Sequence, residues 1–429
     1  MQDLVLDKPY KFVPPYKGTL WPNLIQFFDL QSTFVRQNGV YSHEVRHIER
    51  LRASIEAGHG IMLCPNHCRL VDPIVMGYIS RAAKQHVFAM ASWHLFNQGW
   101  FRAFAIRRMG GFSVNREGID RQAVTTAIDI LCEAKRSLVI FPEGAVTRNN
   151  DKLHSFLDGI SFIARSAAKK CDKMEPKRKV VMHPIALRYL LREDLDAAVG
   201  PTLAEIEKRL SWRPREAMPL IDRIIAFGKA LLALKELEYF GEVRIGPLAE
   251  RQPALVEHLL GNLEKEWFGS PQSGGVVPRV KALRTKITPE MVLGSLPEME
   301  RARRYRQLED IYLAQQISCY PTDYLAERPS VDRLLEIVER YIEDLTDTPH
   351  VLAKMHVICE VGEAIEVPVG REKGAAVDPL QEELRDNLQK MLDELAKECR
   401  PYLLAKPHAV EEPSVNGATS PMAPRHVHT

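Results

Sequence analysis

Residues 61–72 read IMLCPNHCRLVD, and the fold turns on them. The apolar run Ile61, Met62, Leu63, Cys64 lies between Gly60 and Pro65, which predicts a short buried strand. Asn66 and His67 stand at its end, and Asp72 follows five positions after the histidine. Five positions are about 500° of helical rotation, so a regular helix would put imidazole and carboxylate on different faces. A strand that ends and turns into a helix can fold them back on each other. Asp72 and Pro73 before IVMGYI have the pattern of an N-cap and a first helical proline. Two readings are therefore open here: Asp72 as a cap with His67 in a loop, or the two as a working pair.

Three further strand-like runs each stop at a polar or Gly/Pro cluster. They are GGFSVNR at 110–116, SLVIFPEG at 137–144 and VVMHPIALRY at 180–189. Ligands of α/β sheets collect at such strand ends. In order and spacing, these stretches resemble the four motifs of the glycerophospholipid acyltransferases: NH-x4-D (Asn66, His67, Asp72), G-x-x-F-[IV]-x-R (Gly110 to Arg116), F-P-E-G-[TS]-R (Phe141 to Gly144) and a proline-centred strand (Pro184). The resemblance covers about 130 residues and departs from the pattern in two places. Ser113 stands where the family has an aromatic, and EGAVTR replaces EGTR, moving Arg148 two positions on. Both departures bear on the acceptor pocket.

The resemblance implies an α/β fold: a mostly parallel central sheet flanked by helices, here with a large helical insertion. It implies acyl transfer from a thioester, carried by coenzyme A or an acyl-carrier protein, to the hydroxyl of a lysophospholipid or glycerol phosphate. His67 and Asp72 would be catalytic, and Gly110, Arg116, Glu143, Gly144 and Arg148 would bind substrate. No cofactor and no metal are expected. A histidine titrates near neutrality and suits removal of the hydroxyl proton, with Asp72 holding its other ring nitrogen. The absence of a G-x-S-x-G elbow agrees with direct attack and no acyl-enzyme. Backbone N–H groups near 66–67 or at the 142–144 turn are the candidates for the oxyanion.

Composition narrows the alternatives. Lys and Arg total 58 against 56 Asp and Glu, so there is no global nucleic-acid signature. Arg102, Arg107, Arg108, Arg116 and Arg121 nevertheless cluster around the second motif, and Lys169 to Lys179 precede the fourth. Seven scattered cysteines give no disulfide framework and fit a reducing cytosol. No signal peptide and no stretch of about 18 apolar residues is visible. The expectation is a cytoplasmic protein peripherally associated with a membrane surface. Two aromatic segments, 20–35 and 93–104, are candidates either for that interface or for core packing.

Along the chain, residues 1–40 are expected to form an N-terminal extension and 41–192 the motif-bearing core. A helix is expected from Ser42 to Gly58, with Val45, Ile48, Leu51 and Ile55 on one face. Residues 193–350 read as a charged helical insertion separable from the chemistry. Residues 351–403 return a strand (MHVICEVGEAIEV) and a capped helix, and 404–429 form a disordered tail. VRIGPL at 243–248 competes for the returning strand. Two rival functions stay open: acyl transfer to an amine, as in ornithine-lipid synthesis, and a non-enzymatic membrane-associated scaffold.

Overall fold

The computed structural model describes residues 6, 8–210, 217–294, 296–325, 329–370 and 378–402. The expected tail at 404–429 lies outside them. Among the described residues eight strands form one sheet: β1 (Val40–Arg46), β2 (Gly60–Pro65), β3 (Val87–Ser92), β4 (Gly111–Val114), β5 (Ser137–Val139), β6 (Val180–Leu191), β7 (Met355–Val361) and β8 (Ile365–Glu366). The order is β1-β7-β6-β2-β5-β3-β4, with β8 against β6. Strands β6, β2, β5, β3 and β4 are mutually parallel, whereas β7 runs antiparallel to β6 and parallel to β1. Every residue of β2 and β6 is buried, which is why β2 reads as a continuous apolar run and β6 as one broken only by His183 and Arg188 rather than as alternating ones.

Fourteen helices are described: α1 (Leu20–Phe27), α2 (Leu30–Gln37), α3 (Ile48–Glu56), α4 (Asp72–Ala83), α5 (Trp100–Arg108), α6 (Arg121–Glu133), α7 (Gly159–Cys171), α8 (Leu195–Arg209), α9 (Leu220–Phe240), α10 (Leu248–Phe268), α11 (Val276–Leu293), α12 (Glu298–Ser318), α13 (Val331–Thr346) and α14 (Pro379–Ala396). One face of the sheet packs on α3, α4, α8, α9 and α13, the other on α6, α7 and α14. Helices α10, α11 and α12 have a core of their own around Leu255, Leu260, Leu283 and Ile311.

Two expectations are corrected. The helix expected from Ser42 is a strand as far as Arg46, and only then a helix from Ile48. The spacing of Val45, Ile48, Leu51 and Ile55 mimics a helical face, but β7 pairs with residues 40–46 and the pairing overrides the local pattern. His47, in left-handed conformation, makes the break. Nor is 193–350 separable from the core. Leu334, Leu335, Val338, Tyr341 and Ile342 of α13 belong to the same buried cluster as Ile185, Leu187 and Tyr189 of β6. The stretch 243–248 pairs with no strand and leads into α10.

Candidate active site

The parallel strands carry the chemistry-bearing residues to one edge of the sheet. β2 ends into Asn66 and His67, β5 leads to Phe141 and Glu143, and β4 leads to Arg116. The neighbouring registers of β2 on β5 and of β2 on β6 bring these loops side by side.

His67 and Asp72 meet. His67 Nδ1 lies 2.9 Å from Asp72 Oδ2. The same oxygen accepts the backbone N–H of Arg69 at 2.8 Å, and Oδ1 accepts the Tyr189 hydroxyl at 2.5 Å. Three donors on a fully buried carboxylate leave it the acceptor, so Nδ1 carries the imidazole hydrogen. Asp72 makes no capping bond to its own helix: Val71 is the N-cap, and the carboxylate turns back toward the loop. Burial lifts the Tyr189 hydroxyl well above its ordinary pKa, which keeps it a donor. The imidazole stacks on Phe141 with centroids 4.1 Å apart, and its Nε2 has no hydrogen-bond partner among the described residues.

The loop around His67 is fastened at three points. Asn66 Nδ2 donates to Leu187 O at 3.0 Å, and Asn66 Oδ1 accepts from Leu187 N at 2.8 Å. Thr147 N donates to His67 O at 2.8 Å. Glu143 Oε1 accepts His67 N–H, and its Oε2 accepts His154 N–H, both at 2.9 Å. Burial pushes the Glu143 carboxyl up to about 8, against the pull of these two N–H groups. Both of its oxygens are therefore spent on backbone, and Glu143 holds the histidine loop.

The remaining sequence candidates divide. Arg116 donates to Gly144 O and lies beside the Glu143 turn. Gly144 has φ +66°, and a Cβ there would meet Leu157 Cδ1 at 2.3 Å, so the turn needs glycine. Arg148 also has positive φ, and its guanidinium pairs with Glu343 of α13 at 2.5 Å. Gly110 is not brought to the site. It precedes β4 at the opposite sheet edge, with φ +96°, and a Cβ would meet Val87 O at 2.6 Å. Ser113 is fully buried and accepts from Val13 N at 2.8 Å, so this departure from the family pattern anchors the N-terminal segment.

Sequence reasoning missed Tyr189, Thr147, His154 and Arg340. Arg340 of α13 donates to Thr147 O, and Arg69 pairs with Glu339 at 2.8 Å. Helix α13 thus grips both motif loops. Only Thr147 had a local signal, through its place in EGAVTR.

Comparison with known proteins agrees with this geometry. Residues 42–188 match the acyltransferase family model. Over 144 residues the chain is 33% identical to a 1-acyl-sn-glycerol-3-phosphate acyltransferase of Streptococcus pneumoniae, covering 33% of this chain and 48% of that protein. The chain thus spans about half the length of the curated relative it matches. With motif order, sheet and matched segment in agreement, residues 42–188 form a domain of the acyltransferase family.

Proposed function

We propose that this chain transfers an acyl group from an acyl thioester to the hydroxyl of a glycerol phosphate or lysophospholipid. The observation that carries the reading is the His67–Asp72 hydrogen bond with Nε2 left uncommitted. In this mechanism Nε2 takes the proton as the acceptor oxygen attacks the thioester carbonyl carbon. Asp72, held by Tyr189 and the Arg69 N–H, stabilises the imidazolium. The C–S bond breaks as the carbonyl re-forms, and the thiolate leaves with the proton returned from the imidazolium. The donor is coenzyme A or an acyl-carrier protein; no other cofactor enters these steps. Arg116 supplies positive charge for the acceptor phosphate.

The membrane supplies the lipid. No helix among the described residues is long and apolar enough to cross a bilayer. Phe27 and Phe28 are 80% and 64% exposed, and Trp100 and Phe101 are 81% and 61% exposed. Trp21 of α1 packs edge-on against Phe104 of α5 at 5.1 Å, which joins the two segments into one surface. Arg102 and Arg107 lie on α5 and suit anionic headgroups. We assign this surface to peripheral contact with lipid.

The test is a product assay. Purified protein is given an acyl thioester and, separately, lysophosphatidic acid, glycerol 3-phosphate, a neutral lysolipid and a lyso-ornithine lipid, with products read by mass spectrometry. The reading expects ester product with the phosphate-bearing acceptors. Amide product alone, or none with any acceptor, would contradict it.

A further inference from the structure

The last turns of α6 and α7 bring two thiols together away from the reaction centre. Cys171 Sγ donates to Cys132 Sγ at 2.8 Å, across 39 residues of chain, and Cys132 Sγ donates in turn to Ala167 O at 3.7 Å. Both are free cysteines, and both are buried, Cys132 at 3% exposure and Cys171 at 0%. They share one buried cluster with Ala127, Ala164, Ala167 and Ala168, small side chains that let the two helices approach closely. No other two cysteines make such a contact among the described residues.

The pair stands at the end of the sheet opposite the histidine loop. A Cβ on Gly60, where β2 begins, would meet Leu131 O at 2.3 Å, whereas His67 follows the end of β2. Helix α6 follows Arg116 in the chain, and α7 follows Glu143 and its loop. A bond between the two cysteines would therefore tie both motif-bearing segments together without touching His67 or Asp72. The basic run 169–179, which no step of the reaction uses, gathers at the same place. Lys170 adjoins Cys171 and pairs with Asp129 of α6 at 2.6 Å, and Arg178 donates to Cys132 O. Burial and the neighbouring Cys171 push the Cys132 thiol up to about 12, while Lys170 pulls the other way. Reaction of these thiols therefore waits on opening of the helix ends. Both sit where helices fray: Cys132 is the last residue but one of α6, and Cys171 is the last of α7.

We propose that Cys132 and Cys171 are a reversible disulfide site, formed by exchange with a small-molecule disulfide such as oxidised glutathione, and that the bond staples α6 to α7. Cys132, the less enclosed of the two, loses its proton to solvent, and its thiolate attacks one sulfur of oxidised glutathione. The glutathione S–S bond breaks, and one glutathione leaves as a thiolate that takes up a proton. Cys171 then loses its proton and attacks the Cys132 sulfur, and the second glutathione leaves in the same way. The two cysteines give up two electrons in all, and oxidised glutathione is reduced to two molecules of glutathione. Bonded sulfurs stand about 2 Å apart, so the pair has a gap of under about 1 Å to close. The bond restricts the unfolded chain and so favours the fold. Nothing in this step depends on the acyl-transfer reading.

The test counts thiols. The full chain is held in glutathione buffers from fully reduced to fully oxidised, quenched in acid, unfolded, alkylated and read by mass spectrometry. Expected is a fall from seven alkylated cysteines to five, with a peptide that joins Cys132 to Cys171. The oxidised protein should melt several degrees above the reduced one, and dithiothreitol should reverse both changes. Cys132→Ala and Cys171→Ala should form no internal bridge and show no such shift, and either one decides should the other fail to fold. Seven alkylated cysteines in every buffer, a bridge to another cysteine, or glutathione retained on Cys132 would overturn the site. A Cys132–Cys171 bridge with an unchanged melting temperature would overturn the staple.

Discussion

Tyr189 of β6 donates its hydroxyl to Asp72 Oδ1 across 117 residues of chain, tying the sheet to the first residue of α4. With the Arg69 N–H on the other oxygen, it fixes the carboxylate that orients His67. The Arg69 guanidinium lies over the Tyr189 ring at 5.3 Å and pairs with Glu339. Carboxylate, tyrosine and arginine therefore form one buried assembly, closed by α13.

Tyr189→Phe keeps the ring's packing and removes one donor to a buried carboxylate. Hydrogen bonds to charged groups contribute about 1.5–3 kcal/mol, so a lowered melting temperature is expected. The turnover rate should fall by roughly tenfold as Asp72 and His67 lose alignment, with KM for the acceptor little changed. Steady-state kinetics beside a thermal melt checks both. An unchanged rate would mean that the Arg69 N–H alone holds Asp72.

Glu143 predicts a pH dependence of stability. Its folded pKa of about 8 lies above the ordinary carboxylate value of 4.5, so the folded state binds its proton more tightly than the unfolded chain. That contribution is full below about pH 4.5 and is lost as pH rises through about 8. Urea midpoints at several pH values between 5 and 8.5 should fall with rising pH through this group, and Glu143→Gln should flatten the slope. Equal slopes in both proteins would contradict the assignment.

The exposed aromatics predict how the protein reaches lipid. Phe27→Ala/Trp100→Ala/Phe101→Ala should pellet with anionic liposomes at least several-fold less than wild type, and added salt should weaken wild-type binding. Equal co-sedimentation would place the lipid contact elsewhere.

What was legible in the sequence follows from where the determinants lie. β2 and β6 are buried on both faces and so write themselves as mainly apolar runs. His67 and Asp72 lie five positions apart across one strand-to-helix turn, and the motif spacing displayed them together. Tyr189 and Arg340 reach the site through strand order and the packing of α13, over separations that no local pattern records. β1 hid for the same reason, because its partner β7 lies more than 300 residues away in sequence. Prolines lie inside several of the helices: α8 and α10 begin ahead of Pro201 and Pro253, and α11 continues through Pro289.

The central claim is that His67 Nε2 removes the acceptor's proton. The direct measurement is the acyl-transfer rate of His67→Ala against wild type, at saturating thioester and acceptor, with circular dichroism showing both folded. Loss of a general base lowers the rate by about 10² to 10⁴. A fall in that range with the fold retained is the predicted result; a rate within a few-fold of wild type would contradict the mechanism.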